Sequence, residues 1–359
     1  MAEKDAFLLL VRFGIGHQVS AHLANVDWSA VQDLASKQGL SAIVLDGIEE
    51  LKKCSSNVKP PEKMMLTKWI GEVLQGYEYR YELYRRSIAE LAGFYNDKGY
   101  KMMVLKGYAC SLNWPKPEHR PCGDIDIWQF GMQKEADTVL AKEKGIGIDS
   151  GRHHHTVFYW RNFLVENHYD FVNVHSRRSS AELEKVFKEL GKDDSHFVEV
   201  YGEKVYLPSP NLHALFLVRH ALNHFASIGI NLRQVLDWAF FAEKHSREID
   251  WKWLNKVLEQ YHMNDFFNCL NGICVEDLGF NISIFHDVQF KPSLKERVLY
   301  DIINPEFQAE EPQKLLPRLV YKYRRWKGNA WKQELCYKES RWSAFWSNVW
   351  TKILKPTTI

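Results

Sequence analysis

The segment GDIDIW carries two acidic residues two positions apart, Asp124 and Asp126, and their chemistry is the clearest in the sequence. They alternate with Ile125 and Ile127, and this period of two predicts a strand with both carboxylates on one face. Two carboxylates side by side on a core strand repel each other and lose solvation, which proteins usually tolerate only where cations lie between them. The pair therefore predicts a metal site.

Upstream of this pair, an apolar run from Met102 to Leu105 leads into Lys106-Gly107 and a short segment that can begin a helix. A strand that ends in glycine before a helix lets backbone N–H groups approach an anion such as phosphate. Lys106 and Arg120 are cations that contact phosphate oxygens in one interpretation. In the other interpretation Lys106 is a surface residue and Arg120 pairs with the acidic cluster.

Downstream, the segment HTVFYWRNFLVENHYDF predicts two strands around a tight turn at Arg161-Asn162. With that turn, His155 pairs across from His168, and Glu166 shares a face with His168. Glu166 is then a third carboxylate beside the acidic pair.

The order of LKG, HRPCGDIDIW and VENHY resembles the polymerase-β type nucleotidyltransferase superfamily. That superfamily has a glycine after a strand, a strand with two acids around one apolar residue, and a third acid on a later strand. The sequence most resembles its bacterial, largely uncharacterised branch, and the resemblance covers roughly residues 101 to 170. Two features depart from the family pattern: the usual Gly-Ser is Gly107-Tyr108, and the gap from Gly107 to Asp124 is longer than in many members.

The resemblance implies transfer of a nucleoside monophosphate from an NTP to an acceptor hydroxyl, with release of pyrophosphate. Two Mg²⁺ ions, for which Mn²⁺ can substitute, are expected on the catalytic residues Asp124, Asp126 and Glu166. The residues expected to bind the nucleotide are Lys106, Gly107, Arg120 and Gly123. The acceptor is a small molecule or a protein. The alternatives are an AMPylation-type enzyme that modifies Ser, Thr or Tyr side chains, and a non-catalytic binding protein that retains the fold.

Histidines next to the third carboxylate are expected to support it. His155 and His168 are interpreted as hydrogen-bonding partners of Glu166, and a zinc site that includes His154 is the alternative.

Two further pairs lie four residues apart on predicted helices. Arg233 and Asp237 are expected to form a helix ion pair, although the resemblance implies that their helical domain flanks the cleft and contacts the acceptor. His220 and His224 share a helix face and are expected to line the core or a cleft, because the metalloprotease pattern is absent.

The composition of the 359 residues is that of a globular protein, with 45% hydrophobic and 26% charged residues. A formal net charge of +2 argues against an overall nucleic-acid-binding surface, so no DNA partner is expected. The six cysteines are scattered without a C-x-x-C pair, which fits a reducing compartment. No signal peptide or transmembrane segment is recognisable, so the cytoplasm is the expected location. The oligomeric state stays open.

Pattern changes along the chain predict an α+β fold in which a small mixed-sheet core lies between helical segments. The expected regions are an N-terminal helical region (1–99), a nucleotidyltransferase α/β core (100–207), a helical domain flanking the cleft (208–300) and a basic, Trp-rich helical tail (301–359). Apolar residues recur every three or four positions from 66 to 95, which predicts one long amphipathic helix. Another helix is predicted from Gln133 to Lys144.

The tail is basic and aromatic, with 11 Lys/Arg, two Glu and five Trp between 313 and 355. Its aromatic and apolar residues follow a helical stripe: Trp342, Phe345, Trp346, Val349, Trp350 and Ile353. A helix over 340–355 packed on the protein body is expected. The alternatives are an interfacial membrane helix and a polyanion-binding surface.

Overall fold

A six-stranded mixed sheet lies at the centre of the computed structural model, which describes residues 3–17, 25–54, 58–151, 154–174, 177–307 and 312–340. The strands are β1 (Met103–Val104), β2 (Ile125–Trp128), β3 (His155–Trp160), β4 (Phe163–His168), β5 (Phe197–Val200) and β6 (Glu203–Tyr206). Their spatial order is β3-β4-β2-β1-β6-β5. β2 is parallel to β4, β1 is parallel to β6, and the other neighbours are antiparallel.

Helices flank the sheet, which confirms the expected α+β class. The α-helices of the described residues are α1 (Glu3–Gly14), α2 (Trp28–Lys37), α3 (Ser41–Cys54), α4 (Lys63–Val73), α5 (Arg80–Asp97), α6 (Tyr108–Ser111), α7 (Gln133–Lys144), α8 (Arg178–Leu190), α9 (Pro210–Ser227), α10 (Leu232–His245), α11 (Trp251–Gln260), α12 (Asn264–Gly272), α13 (Pro292–Ile303), α14 (Leu315–Gly328) and α15 (Ala330–Cys336).

The register of the sheet brings the acidic strands together. β2 and β4 run in parallel with Asp126 opposite Glu166, so both side chains project from the same face. β3 and β4 form the predicted hairpin, with His155 opposite His168. Arg161 in its turn has a φ of 54°, the left-handed conformation that tight hairpin turns require. The predicted pairing and turn are confirmed.

Strands β5 and β6 form a second hairpin, which the sequence analysis does not assign. Its turn residues Tyr201 and Gly202 both have positive φ angles, 50° and 82°. β6 joins the sheet beside β1, where Tyr206 lies opposite Met103. The alternation in VEVYGEKVY around a glycine turn is the signal that identifies such a hairpin.

The face of the sheet opposite the acids is apolar and packs on α5 and α7. Ile125 and Ile127 are fully buried there, in one cluster with Ile88 of α5 and Leu140 of α7. α7 has the predicted bounds and is followed by the left-handed Gly145, with a φ of 66°. β2 therefore has Ile125 and Ile127 in an apolar core and Asp126 on the opposite face, and Asp124 directly precedes the strand.

α4, a π-helical segment (Leu74–Tyr79) and α5 form the long helical run predicted from 66 to 95. The π-helical turn accommodates extra chain length and contains Gly76. On α5, the Tyr84 hydroxyl donates a hydrogen bond to the Asp124 carbonyl oxygen at 2.8 Å. The run therefore fixes the backbone at the start of the acidic strand.

The N-terminal helices brace the loop before β2. α1 and α3 cross so closely at Gly47 that a Cβ atom would lie 2.0 Å from the Leu10 carbonyl oxygen. Asp46, which directly precedes Gly47 on α3, pairs with Lys116 Nζ and with His119 Nδ1, each at 2.6 Å. The α1/α3 pair thus holds the loop that leads into the acidic strand.

The C-terminal part is described as far as Ser340. In the described ranges, no helix is both long and apolar enough to cross a membrane. α14 leaves large apolar side chains exposed, among them Leu315, Leu316 and Leu319. The predicted helix over 340–355 falls outside the described residues except for its first position.

Replacing Gly47 by alanine is expected to destabilise the fold. The added methyl group overlaps the Leu10 carbonyl oxygen, and overpacking of this kind costs about 1–3 kcal/mol. Gly71→Ala is the matched control, since a Cβ at this exposed position of α4 meets no atom within 4 Å. That control is expected to stabilise the protein by about 0.5–1 kcal/mol. Urea unfolding measures both variants, and equal stability of the two would contradict the close crossing.

Candidate active site

Asp126, Glu166 and His168 converge on the acidic face of the sheet. Asp126 is fully buried, and its Oδ1 lies 2.9 Å from Lys106 Nζ and 3.1 Å from His168 Nε2. The Glu166 carboxylate lies 3.7 Å from Nε2 of both His155 and His168. One ligand atom from each of Asp126, Glu166 and His168 lies within 4.8 Å of the other two. The structure therefore brings together two of the three predicted acids and both predicted histidines.

The charges of this cluster are coupled. Burial raises the pKa of Asp126, but the Lys106 ammonium and the His168 imidazole outweigh it and hold that pKa well below its usual range. Burial and the Asp126 charge raise the pKa of Glu166. Burial lowers the pKa of Lys106, but the charges of Asp126 and Asp124 outweigh it and the net pKa is raised. The cluster thus combines an ionised buried aspartate, a charged lysine and a glutamate that gains a proton more readily than in water.

Asp124, the other acid of the pair, is more accessible than Asp126. Its side chain is 40% exposed, and Oδ2 lies 3.9 Å from Lys106 Nζ. Lys106 thus lies between the two aspartates and contacts the acidic cluster, which replaces the interpretation of this lysine as a surface residue.

The donor atoms of the cluster fit a divalent metal. Asp126 Oδ2 is buried and accepts no hydrogen bond from the described residues. A buried carboxylate oxygen without a partner is costly, and a bound cation satisfies it. Carboxylate oxygens suit Mg²⁺ and Mn²⁺, and the neighbouring imidazoles also suit softer metals such as Zn²⁺.

Gly107 shapes the backbone beside the cluster. It has a φ of 61°, and a Cβ at this position would lie 2.3 Å from the Tyr84 hydroxyl oxygen. α6, which follows it, has only four residues. Gly123 precedes the acidic strand, and a Cβ there would meet no atom within 4 Å. The chain therefore requires glycine at 107, whereas the space around Gly123 does not.

Two cavities border the cluster and share part of their lining. The first, of about 390 Å³, is called the cationic cavity because its lining includes Lys37, Lys106, Arg120 and Arg233; Gly107 and Gly123 also line it. The second, of about 330 Å³, is called the Glu166 cavity, and its lining includes Glu166, His168, Phe171, Phe216, Arg219 and Asn223. Lys106, Asp124, His220 and His224 line both cavities. One cavity beside the cluster is therefore rich in cations, and the other is partly aromatic.

Arg120 pairs with an acid outside the acidic cluster. Its Nε and one terminal nitrogen donate to the two carboxylate oxygens of Asp237 at 2.7 and 2.9 Å, and both side chains are buried. Trp114 Nε1 donates to the same carboxylate at 2.9 Å. The interpretation of Arg120 as a partner of the acidic cluster is wrong, because the rigid guanidinium fork is already matched by Asp237.

The expected helix ion pair between Arg233 and Asp237 is also wrong. Asp237 is taken by Arg120, and Arg233 has no carboxylate within ion-pair distance in the described part of the chain. Its Nε is buried without a hydrogen-bond partner there. Burial and the neighbouring Arg120 lower the pKa of Arg233. A half-buried arginine with unused donors therefore lines the cationic cavity.

His220 and His224 lie where the sequence analysis expects, lining a cleft. Their ring centroids are 4.3 Å apart. Burial and the nearby Lys106 charge lower the pKa of His220 well below its usual value and that of His224 to about 4. Both rings are therefore neutral at pH 7.

The histidines around Glu166 form a compact group. The ring centroids of His154, His155 and His168 lie 4.4 to 5.7 Å from one another. One ligand atom from each lies within 4.8 Å of the other two. This geometry is compatible with both interpretations. Two of the rings lie beside the Glu166 carboxylate, and the three rings together also offer nitrogen ligands for a metal such as zinc.

A family model described as "Uncharacterised nucleotidyltransferase" matches residues 24–278. The chain belongs to this family. The match spans the sheet, the acidic cluster, and α9 and α10 beside the two cavities. The protein is therefore an enzyme of the nucleotidyltransferase kind. No curated protein and no solved structure matches the chain.

Several residues that line the cavities of this nucleotidyltransferase were not identified from the sequence. Lys37 lines the cationic cavity, and Arg219 and Asn223 line the Glu166 cavity. Arg219 and Asn223 each immediately precede one histidine of the pair on α9. The helical period around those histidines is therefore a signal for them, whereas Lys37, on a distant helix, has none.

Removing the Arg120 side chain is expected to lower the free energy of unfolding more than removing the Arg233 side chain does. Arg120→Met leaves the buried Asp237 carboxylate charged and without its guanidinium partner, and such a loss costs about 3–5 kcal/mol. Arg233→Met removes a half-buried guanidinium that has no ion pair in the described residues, so its cost is much smaller. Chemical denaturation of both variants measures the difference. A similar loss in both would mean that Arg120 is not the anchor of Asp237.

Divalent metal is expected to bind at the acidic cluster. Isothermal titration with Mn²⁺ should show binding to the wild-type chain and none to Asp124→Asn/Asp126→Asn, because the variant lacks the two charges. Glu135→Gln, an exposed carboxylate on α7, is the control and should bind as the wild type does. Circular dichroism verifies that the double variant is folded. Unchanged Mn²⁺ binding in the double variant would contradict the metal site.

Proposed function

We propose that this enzyme transfers a nucleoside monophosphate from an NTP to the hydroxyl of a small molecule, with release of pyrophosphate. The observation that supports this most directly is Asp126 Oδ2, a buried carboxylate oxygen without a partner in the described residues. It belongs to an acidic pair whose other member, Asp124, lines both the cationic cavity and the cavity that contains a third carboxylate. Phosphoryl-group chemistry needs such positioning and charge neutralisation more than it needs a covalent intermediate.

The cationic cavity is the proposed site for the triphosphate. Arg233 presents donors that no described residue uses, and Lys106 adds a second positive charge beside Asp124. Gly107 lines this cavity and has no side chain that would keep an anion from its backbone. Arg120 also lines this cavity, and its pair with Asp237 holds the cavity wall.

The metal ions proposed for this reaction are two Mg²⁺ held by Asp124, Asp126 and Glu166, with Mn²⁺ able to substitute. When bound, they neutralise the triphosphate and lower the pKa of the acceptor hydroxyl. The protein's own groups orient them: Lys106 keeps Asp126 ionised, and His155 and His168 lie beside Glu166.

Glu166 marks the proposed acceptor side. Its carboxylate lines the second cavity, where the hydroxyl of the acceptor is expected to be oriented toward the acidic pair. The walls come from the sheet, from residues 171–173 and from α9. Because this cavity, at about 330 Å³, has the size of a small-molecule site, it favours a small acceptor over the side chain of another protein.

Label transfer from each NTP tests this proposal. Wild-type protein is incubated with Mg²⁺ or Mn²⁺, an α-³²P-labelled NTP and the low-molecular-mass fraction of a cell extract. Label is expected in a small-molecule product with one NTP preferred. Label on protein would favour the AMPylation-type alternative, and no transfer from any NTP would contradict the proposal.

Glu166→Gln is expected to reduce transfer by about 10²-fold or more, the scale of losing one charge-stabilising group. The change keeps the size of the side chain, so NTP binding should persist. Glu189→Gln, an exposed carboxylate at the end of α8, is the control and should retain wild-type transfer. Single-turnover rates distinguish the two, and near-wild-type transfer by Glu166→Gln would place the third carboxylate elsewhere.

A further inference from the structure

Arg219 is a buried cation on α9 that lines the Glu166 cavity. Arg219 is only 5% exposed. One terminal nitrogen donates to Ser180 Oγ at 3.0 Å, and Nε is buried without a hydrogen-bond partner in the described residues. In that part of the chain, no carboxylate lies within ion-pair distance of Arg219. The guanidinium is therefore desolvated without a matching anion.

The neighbours of Arg219 do not neutralise its charge. The Tyr337 ring centroid lies 5.2 Å from its guanidinium carbon, and the same ring is 3.7 Å from that of Arg177, another cation. Burial deprives a charge of its hydration, and a cation–π contact compensates for this loss much less than a carboxylate partner does. Arg120, which is also 5% exposed, shows the usual solution in this protein, a two-oxygen pair with Asp237.

We propose that the Glu166 cavity binds an acceptor that carries a carboxylate or phosphate group, and that Arg219 pairs with this anion. The inference rests on the proposed function, because it identifies the acceptor as the occupant of this cavity. The hydroxyl to be modified lies toward Glu166, and the anionic group lies toward Arg219.

Other lining residues fit a compact acceptor of this kind. Phe171 and Phe216 provide apolar walls, and Asn223 provides an amide. A volume of about 330 Å³ holds a small hydroxy acid or a phosphorylated alcohol. The anion is not the NTP triphosphate, because Arg219 does not line the cationic cavity, which has cations of its own.

Arg177 offers a matched control. It contacts the same Tyr337 ring but does not line the Glu166 cavity. If the arginines near Tyr337 only stabilise the fold, removal of either one has the same kind of effect. If Arg219 binds the acceptor, only its removal changes anion binding.

Isothermal titration of the full-length chain with acetate and, separately, with inorganic phosphate tests the inference. Arg219→Gln is expected to weaken binding of at least one of these anions about tenfold or more, because charge-assisted hydrogen bonds are the strong ones. Arg177→Gln should bind both anions as the wild type does, and Arg219→Lys should retain part of the affinity. Arg219-dependent phosphate binding alone indicates a phosphorylated acceptor, and Arg219-dependent acetate binding indicates a carboxylate.

The results that overturn the inference are distinct from those that overturn the proposed function. Equal anion binding by the wild type and Arg219→Gln, or no anion binding by a folded wild type, refutes the anionic subsite even if NTP label is transferred. Arg219-dependent anion binding without label transfer from any NTP refutes the proposed function alone. Thermal unfolding of each variant verifies that any lost binding is not lost folding.

Discussion

A charged aspartate at a fully buried position is the constraint on which the rest of this structure depends. Asp126 stays ionised because Lys106 and His168 contact its carboxylate. An isolated charge buried in this way would be neutralised by a shifted pKa. One of its carboxylate oxygens still has no hydrogen-bond partner in the described residues, and a bound cation would provide one.

The parts around this aspartate keep a polar site inside an otherwise apolar fold. The isoleucines of β2 face the α5 and α7 core, so the strand can turn its other face to the cluster. The Arg120–Asp237 pair ties the loop before β2 to α10 across 117 positions of sequence. Asp46 on α3 holds the same loop from the other side. These contacts are stabilising anchors, and in the described residues they leave Arg233 of the cationic cavity without an acidic partner.

The two cavities differ in what they can bind. One contains several cations and a glycine backbone, whereas the other combines Glu166, aromatic walls and Arg219. His220 and His224 line both cavities. These histidines are neutral because burial and the Lys106 charge lower their pKa values. In the proposed function, the polyanionic donor binds in the cationic cavity and a smaller acceptor binds in the Glu166 cavity.

The sequence alone determined features set by neighbouring residues. The strand that places Asp126 and the two isoleucines on opposite faces, the turn at Arg161-Asn162 and the bounds of α7 follow from local patterns, and the structure confirms them. Asp124 lies just before this strand. The family, too, was recognisable from the short motifs around those elements. Only the tertiary structure decided that Asp237 pairs with Arg120 rather than with Arg233, and that Arg219 lines a cavity with Glu166. Such partners are distant in sequence, and packing of the helices against the sheet, which no local period encodes, brings them together.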